Sequence, residues 1–312
     1  MSDIKIVSID AIDIRFPTGK YNIGSDGMNP DPDYSTAYVI LRTDHPGGLE
    51  GHGLTFTIGR GNDLCVMAIK ALSELVIGKK LPDITSDMAG FWRMITGDSQ
   101  YRWLGPEKGV IHMATAAIVN AMWDLYAKVE EKPLWELIAG MTCEQLLSCI
   151  DFTYITDVIT PAEAMQILEK NKPSKADRIE KLKRSGYPAY TTSAGWLGCD
   201  KDKIRSLCRQ FSREGWTSLK MKIGPDMAEN ITRAEIIRTE IGNEVPLLMD
   251  ANQIWDVNEA FVNIKQLARF NPWWFEEPTS PDDILGHKKI ADAVKPVRIA
   301  TGEHAANRIV FK

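Results

Sequence analysis

Four short motifs carrying lysines or acids recur along the second half of this chain, each about one β-α unit from the next. They are Lys220-Met221-Lys222, Met249-Asp250-Ala251-Asn252, Phe275-Glu276-Glu277-Pro278 and Thr301-Gly302-Glu303. Each closes an apolar, strand-like run, such as Pro246-Leu247-Leu248-Met249 or Trp273-Trp274-Phe275. Strands at this interval with helical stretches between them predict a (β/α) barrel, in which catalytic groups sit at the carboxyl ends of successive strands. Asp250, Glu276 and Glu303 are then expected to converge on one mouth, beside two lysines.

Three carboxylates held that close repel one another unless a cation holds them. All three are hard oxygen ligands, which suit Mg²⁺, an ion that keeps open positions for water and substrate oxygens. The histidines and cysteines show no zinc spacing. Taken singly, each acid reads as a strand-end residue in a salt bridge; the ordered set reads as a metal site. Lys220 and Lys222 lie two apart on one strand and so share a face. Paired ammonium groups, and a nearby divalent cation, lower a lysine's pKa and let it act as a base. A base beside a carboxylate-held metal is suited to removing a proton α to a carboxylate, with the metal stabilising the enediolate.

The Lys-x-Lys, Asp-x-Asn, Glu-Glu-Pro and Gly-Glu order resembles the enolase superfamily, in its mandelate-racemase-like branch, a superfamily known for lysine-plus-Mg²⁺ sites. Asp31-Pro32-Asp33-Tyr34-Ser35, Cys149-Ile150-Asp151-Phe152, Tyr187 to Ser193 and the Glu276 to His287 run, with its Pro-Thr-Ser-Pro-Asp-Asp segment, look like the L-fuconate dehydratase group. The resemblance spans essentially the whole chain. It implies Lys222 as the base that takes the C2 proton, Lys220 as its partner on the substrate carboxylate, and Asp250, Glu276 and Glu303 as magnesium ligands. Substrate contacts are implied at Gly24, Ser25, Asp26, Tyr34, Lys220, Asn252 and Glu303. The implied reaction is dehydration of an acid sugar, L-fuconate, to a 2-keto-3-deoxy acid. Alternatives are a dehydratase or epimerase of another acid sugar, or an inactive product.

Ile4 to Ile14, Ala37 to Leu41 and Gly51 to Phe56 alternate apolar and polar residues and predict a three-stranded antiparallel meander. Helical patterns follow at about 62–77, 86–96 and 106–130, then a short helix from Pro133 to Gly140. Strands followed by helices make an α+β domain, which in the resembled family caps the barrel. The expected organisation is a capping domain over 1–142 and a partial barrel over 143–312, with Cys143 to Tyr154 as the entering strand. Asn22 to Met28, with two glycines among small polar residues, is the expected lid. Glu277 and His304 adjoin ligand positions but should point away, Glu277 towards a lysine. Trp123 reads as core and Asp124 as a structural hydrogen-bond acceptor on the long helix; Trp196 reads equally as pocket wall or loop aromatic.

The resembled branch also uses a histidine on its seventh barrel strand and an aspartate on its sixth. None of His45, His52, His112, His287 and His304 occupies that place, and 143–312 falls short of the ~250 residues of an eight-unit barrel. The sequence therefore reads as a C-terminally truncated copy with an incomplete barrel. A net charge of −5 argues against nucleic acid as a partner, and no apolar run reaches membrane length. The basic stretch 170–184 interleaves acids at helical spacing and reads as a solvated helix face. Five cysteines without a framework pattern read as reduced thiols of a cytoplasmic protein, and the chain starts on a strand with no signal peptide. A small acid sugar is the expected partner, and the resembled family allows a homo-oligomer.

Overall fold

The structure is a computed structural model that describes residues 4–21 and 23–312; Asn22, the first residue of the expected lid, lies outside the described residues. The chain packs as two compact units. One holds Met1–Phe16, Asp33–Arg184 and Ala306–Lys312, and the other Pro17–Pro32 and Ser185–Ala305.

The first unit opens with the meander: β1 (Ile6–Arg15), β2 (Ser35–Thr43) and β3 (Glu50–Thr57) pair antiparallel in that order. The period-2 pattern buries Ala37, Val39 and Leu41 completely on one face of β2. Helices α1 (Asn62–Ser73), α2 (Leu81–Thr85), α3 (Met88–Thr96), α4 (Ser99–Trp103) and α5 (Gly109–Val129) follow, then α6 (Leu134–Gly140), α7 (Cys143–Ser148), α8 (Pro161–Asn171) and α9 (Lys175–Ser185). The long α5 lies on β3 at a distance only glycine permits: a Cβ on Gly53 would stand 2.1 Å from the Ala117 carbonyl oxygen, and one on Gly51 2.2 Å from that of Ala121. Asp124 accepts the His52 backbone N–H at 2.7 Å and Trp123 packs against the core.

The expected strand from Cys143 to Tyr154 is not one. Residues 143–148 form a helix because Thr142 and Gln145 make a reciprocal capping box, each satisfying the other's backbone N–H. Packing also assigns 143–184 to the first unit, whereas the sequence alone put a boundary after 142. The basic stretch is helical, with Pro173 in the short 3₁₀ turn between α8 and α9, and α9 buries none of its side chains.

In the second unit, α10 (Lys201–Arg213) precedes β4 (Leu219–Lys222), α11 (Met227–Ile241), β5 (Leu247–Asp250), α12 (Val257–Leu267), β6 (Pro272–Glu276), α13 (Ile284–Ala293) and β7 (Arg298–Ala300). The four strands pair parallel in chain order, the sheet of a (β/α) barrel domain. Leu219, Met221, Leu247, Met249 and Phe275 are fully buried, in one core with Ala234, Ile237, Ile264 and Leu267 of the helices. Aspartates start the helices: Asp200, Asp226, Asp256 and Asp283 each accept backbone N–H groups at an N-cap. Asp283 thereby gives part of the Pro-Thr-Ser-Pro-Asp-Asp segment a structural role.

Candidate active site

Alternation along β4, β5 and β6 sends one set of side chains into the helix-covered core and the other to the opposite face. The register places Lys222 beside Asp250 and Asp250 beside Glu276, so these three form one transverse row at the carboxyl ends of adjacent strands. Lys220 lies one step below. Its Nζ stands 3.0 Å from Asp250 Oδ2 and 3.1 Å from Glu276 Oε2, while Lys222 Nζ is 2.7 Å from the same Asp250 oxygen.

The cluster is shielded from water, with the Asp250 side chain at 0 % exposure, Lys220 at 5 % and Lys222 at 12 %. Burial opposes charge on Asp250, but the two ammonium groups outweigh it and hold its carboxyl below the usual aspartate range. Burial likewise opposes charge on Lys220; there Asp250, Glu276 and the Tyr190 hydroxyl prevail, and the lysine is raised above its ordinary value. Paired ammonium groups predict a depressed lysine pKa, and the direction at Lys220 is the opposite. The charges facing this ammonium are carboxylates more than a second ammonium, and carboxylates favour the protonated form. The Tyr190 ring also lies under the ammonium, its centroid 4.9 Å away.

The turns that follow the strands carry unusual backbone. Asn252, Gln253 and Glu277 all have positive φ, at 45°, 69° and 43°. Non-glycine residues in this region cost of order 1–3 kcal/mol each and cluster at functional sites. The Asn252 backbone N–H donates to Asp250 Oδ1 at 3.0 Å, which orients that carboxylate. Gln253 grips Glu277 twice, by N–H to carbonyl at 2.7 Å and by Nε2 to Oε2 at 3.1 Å. Glu277 thus partners a glutamine and not the expected lysine, and burial raises its pKa.

Two buried oxygens here, Asn252 Oδ1 and Glu277 Oε1, have no hydrogen-bond partner among the described residues. Unpaired buried acceptors beside a pair of carboxylates suit a hard cation. The Asp250 and Glu276 carboxylates fit such an ion as well. Glu303 is not gathered with them: it lies past the end of β7, its side chain 54 % exposed and its Oε1 4.0 Å from His304 Nε2. Among the described residues no group of three His, Cys, Asp or Glu side chains is close enough to hold a metal. Lys220 and Lys222 pair with the Asp250 and Glu276 carboxylates.

Residues 23–28 of the expected lid pack within the second unit. A Cβ on Gly27 would stand 2.6 Å from the Ile223 carbonyl oxygen and 3.0 Å from Ile254, so the segment rests on the chain leaving β4 and β5. Its polar side chains are engaged locally. Asp26 accepts the backbone N–H groups of Met28 and Asn29, and Ser25 donates to the Pro30 carbonyl. Gly24 takes a left-handed turn at φ 79°. Tyr34 belongs to the first unit, edge-on to Phe56 at 5.2 Å.

Sequence reasoning missed Asn230 and Arg233 on α11. Both are buried and bond to the backbone around the end of β4. A polar pair three apart facing an otherwise apolar helix side was the available signal.

Residues 33–139 match the mandelate racemase / muconate lactonizing enzyme N-terminal domain, and residues 203–312 the enolase C-terminal domain-like family. Mitochondrial enolase superfamily member 1 of Xenopus laevis is 52 % identical over 99 % of this chain and 70 % of its own length. The L-galactonate dehydratase of Hypocrea jecorina is 49 % identical over 100 % and 70 % respectively. The crystal structure of human mitochondrial enolase superfamily member 1 superposes at a TM-score of 0.97, with 50 % identity over 98 % of this chain and 70 % of that one. L-Talarate/galactarate dehydratase from Salmonella typhimurium LT2, liganded with Mg and L-lyxarohydroxamate, shares the fold at a TM-score of 0.68 and 22 % identity, over 97 % and 65 %. Among the described residues no helix is long and apolar enough to cross a membrane. With its capping and barrel domains matched in order, the chain belongs to the enolase superfamily.

Proposed function

We propose that this chain carries the proton-abstracting site of a magnesium-dependent acid-sugar dehydratase, acting on L-fuconate or its close analogue L-galactonate. The observation that carries the reading is the row Lys222, Asp250 and Glu276 across three adjacent parallel strands, with Lys220 bonded into it. L-Fuconate is the 6-deoxy form of L-galactonate, so the two share every stereocentre, and a relative half identical to this chain is named for the second.

Asp250 and Glu276 would hold Mg²⁺, with Glu303, exposed past the end of β7, as the third ligand that the family resemblance implies; the ion's charge, when bound, stabilises the doubly negative enediolate. Solved relatives of the fold bind magnesium, which supports the choice of ion. Lys222, as the neutral amine, takes the C2 proton on its Nζ and becomes an ammonium. Lys220, kept cationic by its carboxylate neighbours and Tyr190, is placed to bind one oxygen of the substrate carboxylate. Asn252, with a free Oδ1, accepts a substrate hydroxyl. The Gly24 to Asp26 turn lies on the segment resting over the β4 and β5 ends and shields the site from water. The 3-hydroxyl leaves as water on taking up a proton equivalent to the one lost from C2, and ketonisation of the resulting enol completes a 2-keto-3-deoxy acid.

The test is incubation of the chain with Mg²⁺ and each of L-fuconate, L-galactonate and a panel of other acid sugars, following 2-keto-3-deoxy acid by NMR. Product from L-fuconate or L-galactonate supports the reading. Inversion at C2 without loss of water makes the activity an epimerisation, and product from a different acid sugar alone moves the specificity.

A further inference from the structure

The position of Lys222 Nζ depends on the backbone at the very end of β4, where the chain leaves the sheet. On one side that end is held by β5. On the other it meets the segment Thr191 to Trp196, which pairs with β4 by a single bridge, Thr191 to Leu219, followed by one bond from the Lys222 N–H to the Gly195 carbonyl at 2.8 Å. A full strand ladder is lacking there.

Two buried side chains of α11 stand in for it. Arg233, 3 % exposed, donates to the Lys222 carbonyl at 2.8 Å, the Gly195 carbonyl at 2.6 Å and the Trp196 carbonyl at 3.0 Å. Asn230, one turn earlier and 1 % exposed, accepts the Gly224 N–H at 2.8 Å and donates to the Gly224 carbonyl at 2.7 Å. The two side chains lie on one face of the helix. Together they fix Lys222, Ile223 and Gly224 against the neighbouring segment. Gly195 completes the fit, because a Cβ there would stand 2.0 Å from the Lys220 carbonyl oxygen.

Arg233 forms no ion pair among the described residues; its hydrogen bonds go to three backbone carbonyls. A buried charge of this kind adds little stability that an apolar side chain of equal volume would not. The same helix supplies a contrast at its other end. Arg238, 9 % exposed, donates to the carbonyls of Gly242, Val245, Phe270 and Asn271, which lie before β5 and β6. That is the amino-terminal end of the strands, where barrels carry stability and not chemistry.

We propose that Arg233, assisted by Asn230, is a positioning residue for the base Lys222: it clips the end of β4 to the Gly195-Trp196 backbone and so fixes the lysine's approach to the C2 proton. The assignment rests on the proposed function. Proton transfer is steeply sensitive to placement, and a displacement of about 1 Å can cost on the order of 100-fold in rate.

Arg233→Lys and Arg238→Lys, made in the full chain, separate positioning from stability. A lysine lacks the planar fork and cannot span three carbonyls. Each variant is scored for melting temperature, for its Mg²⁺-induced rise, and for C2-proton exchange with D₂O per folded molecule, using L-fuconate and L-galactonate. Exchange needs only the base step and not expulsion of the hydroxyl. Both variants should melt earlier and keep the Mg²⁺-induced rise. Arg233→Lys should lose about 100-fold in the saturated exchange rate with half-saturation changed less than about twofold, and Arg238→Lys should keep its rate within about twofold. Equal rates in the two variants, or a change confined to half-saturation, overturns the assignment. Should Arg233→Lys fail to fold, Asn230→Ser carries the test, with a loss of about tenfold expected and an unchanged rate overturning it. A wild-type chain that exchanges no C2 proton overturns the functional reading, and this assignment with it.

Discussion

Replacing Asp250 with alanine should destabilise the second unit strongly, by a route the geometry specifies. Asp250 Oδ2 is the shared counterion of Lys220 and Lys222, at 3.0 and 2.7 Å, and its side chain is completely buried. Lys220 retains Glu276 at 3.1 Å; Lys222 retains no ion pair among the described residues. Removing one member of a buried pair costs about 3–5 kcal/mol, because the other charge stays buried without compensation. That is a large share of the roughly 5–15 kcal/mol by which folded proteins exceed their unfolded states. The stranded charge is the cause, so Lys222→Met in the Asp250→Ala background should recover about 2 kcal/mol or more. Urea unfolding followed by circular dichroism, at neutral pH with a chelator present, measures both. A single variant within about 0.5 kcal/mol of wild type would refute the argument, since surface changes alone have that size. So would a double variant no more stable than the single one.

Glu276→Gln should abolish most of the rise in melting temperature that Mg²⁺ gives the wild-type chain, since only a ligand of the folded state shifts it; an undiminished rise removes Glu276 from the coordination sphere. Burial holds the His112 imidazole below its usual 6.5, so below about pH 6.5 the unfolded chain binds more protons than the folded one and stability falls with acid. His112→Gln should therefore flatten the loss of stability between about pH 7.5 and 5.5, and denaturant midpoints that fall equally in both chains would contradict this. A Cβ at position 27 meets the Ile223 carbonyl oxygen at 2.6 Å; Gly27→Ala should lift the lid segment and expose residues 17–32 to limited proteolysis, and a wild-type cleavage pattern would count against it.

The site's skeleton was legible because each of its residues ends an apolar run on a parallel strand, and the parallel register turns sequence spacing into a transverse row. Lys220, Lys222, Asp250 and Glu276 meet in that way. Glu303 was placed by the same logic, yet β7 is only three residues long and the turn after it is exposed, so its path is not set by the sheet. The meander was readable from alternation alone. Cys143 to Tyr154 was misread since its apolar residues suggested a strand, although Thr142-Cys143-Glu144-Gln145 carries the capping-box signature of a helix start. Asn230 and Arg233 escaped for a different reason: the polar pair on an apolar helix side marks them as buried, but what they hold is backbone carbonyl and N–H, which the pattern does not identify. The direction of the Lys220 shift was likewise hidden, because it depends on which charges face the ammonium in space.

The central claim is that Lys222 removes the C2 proton of an acid sugar. Its most direct measurement is NMR of L-fuconate and L-galactonate in D₂O with Mg²⁺, comparing the wild-type chain with Lys222→Ala. Wild type should exchange the C2 proton for deuterium. Lys222→Ala should not, while keeping its Mg²⁺-induced rise in melting temperature, because the lysine acts on the substrate and is not a ligand. Exchange that persists in Lys222→Ala would assign the proton to another base and contradict the account.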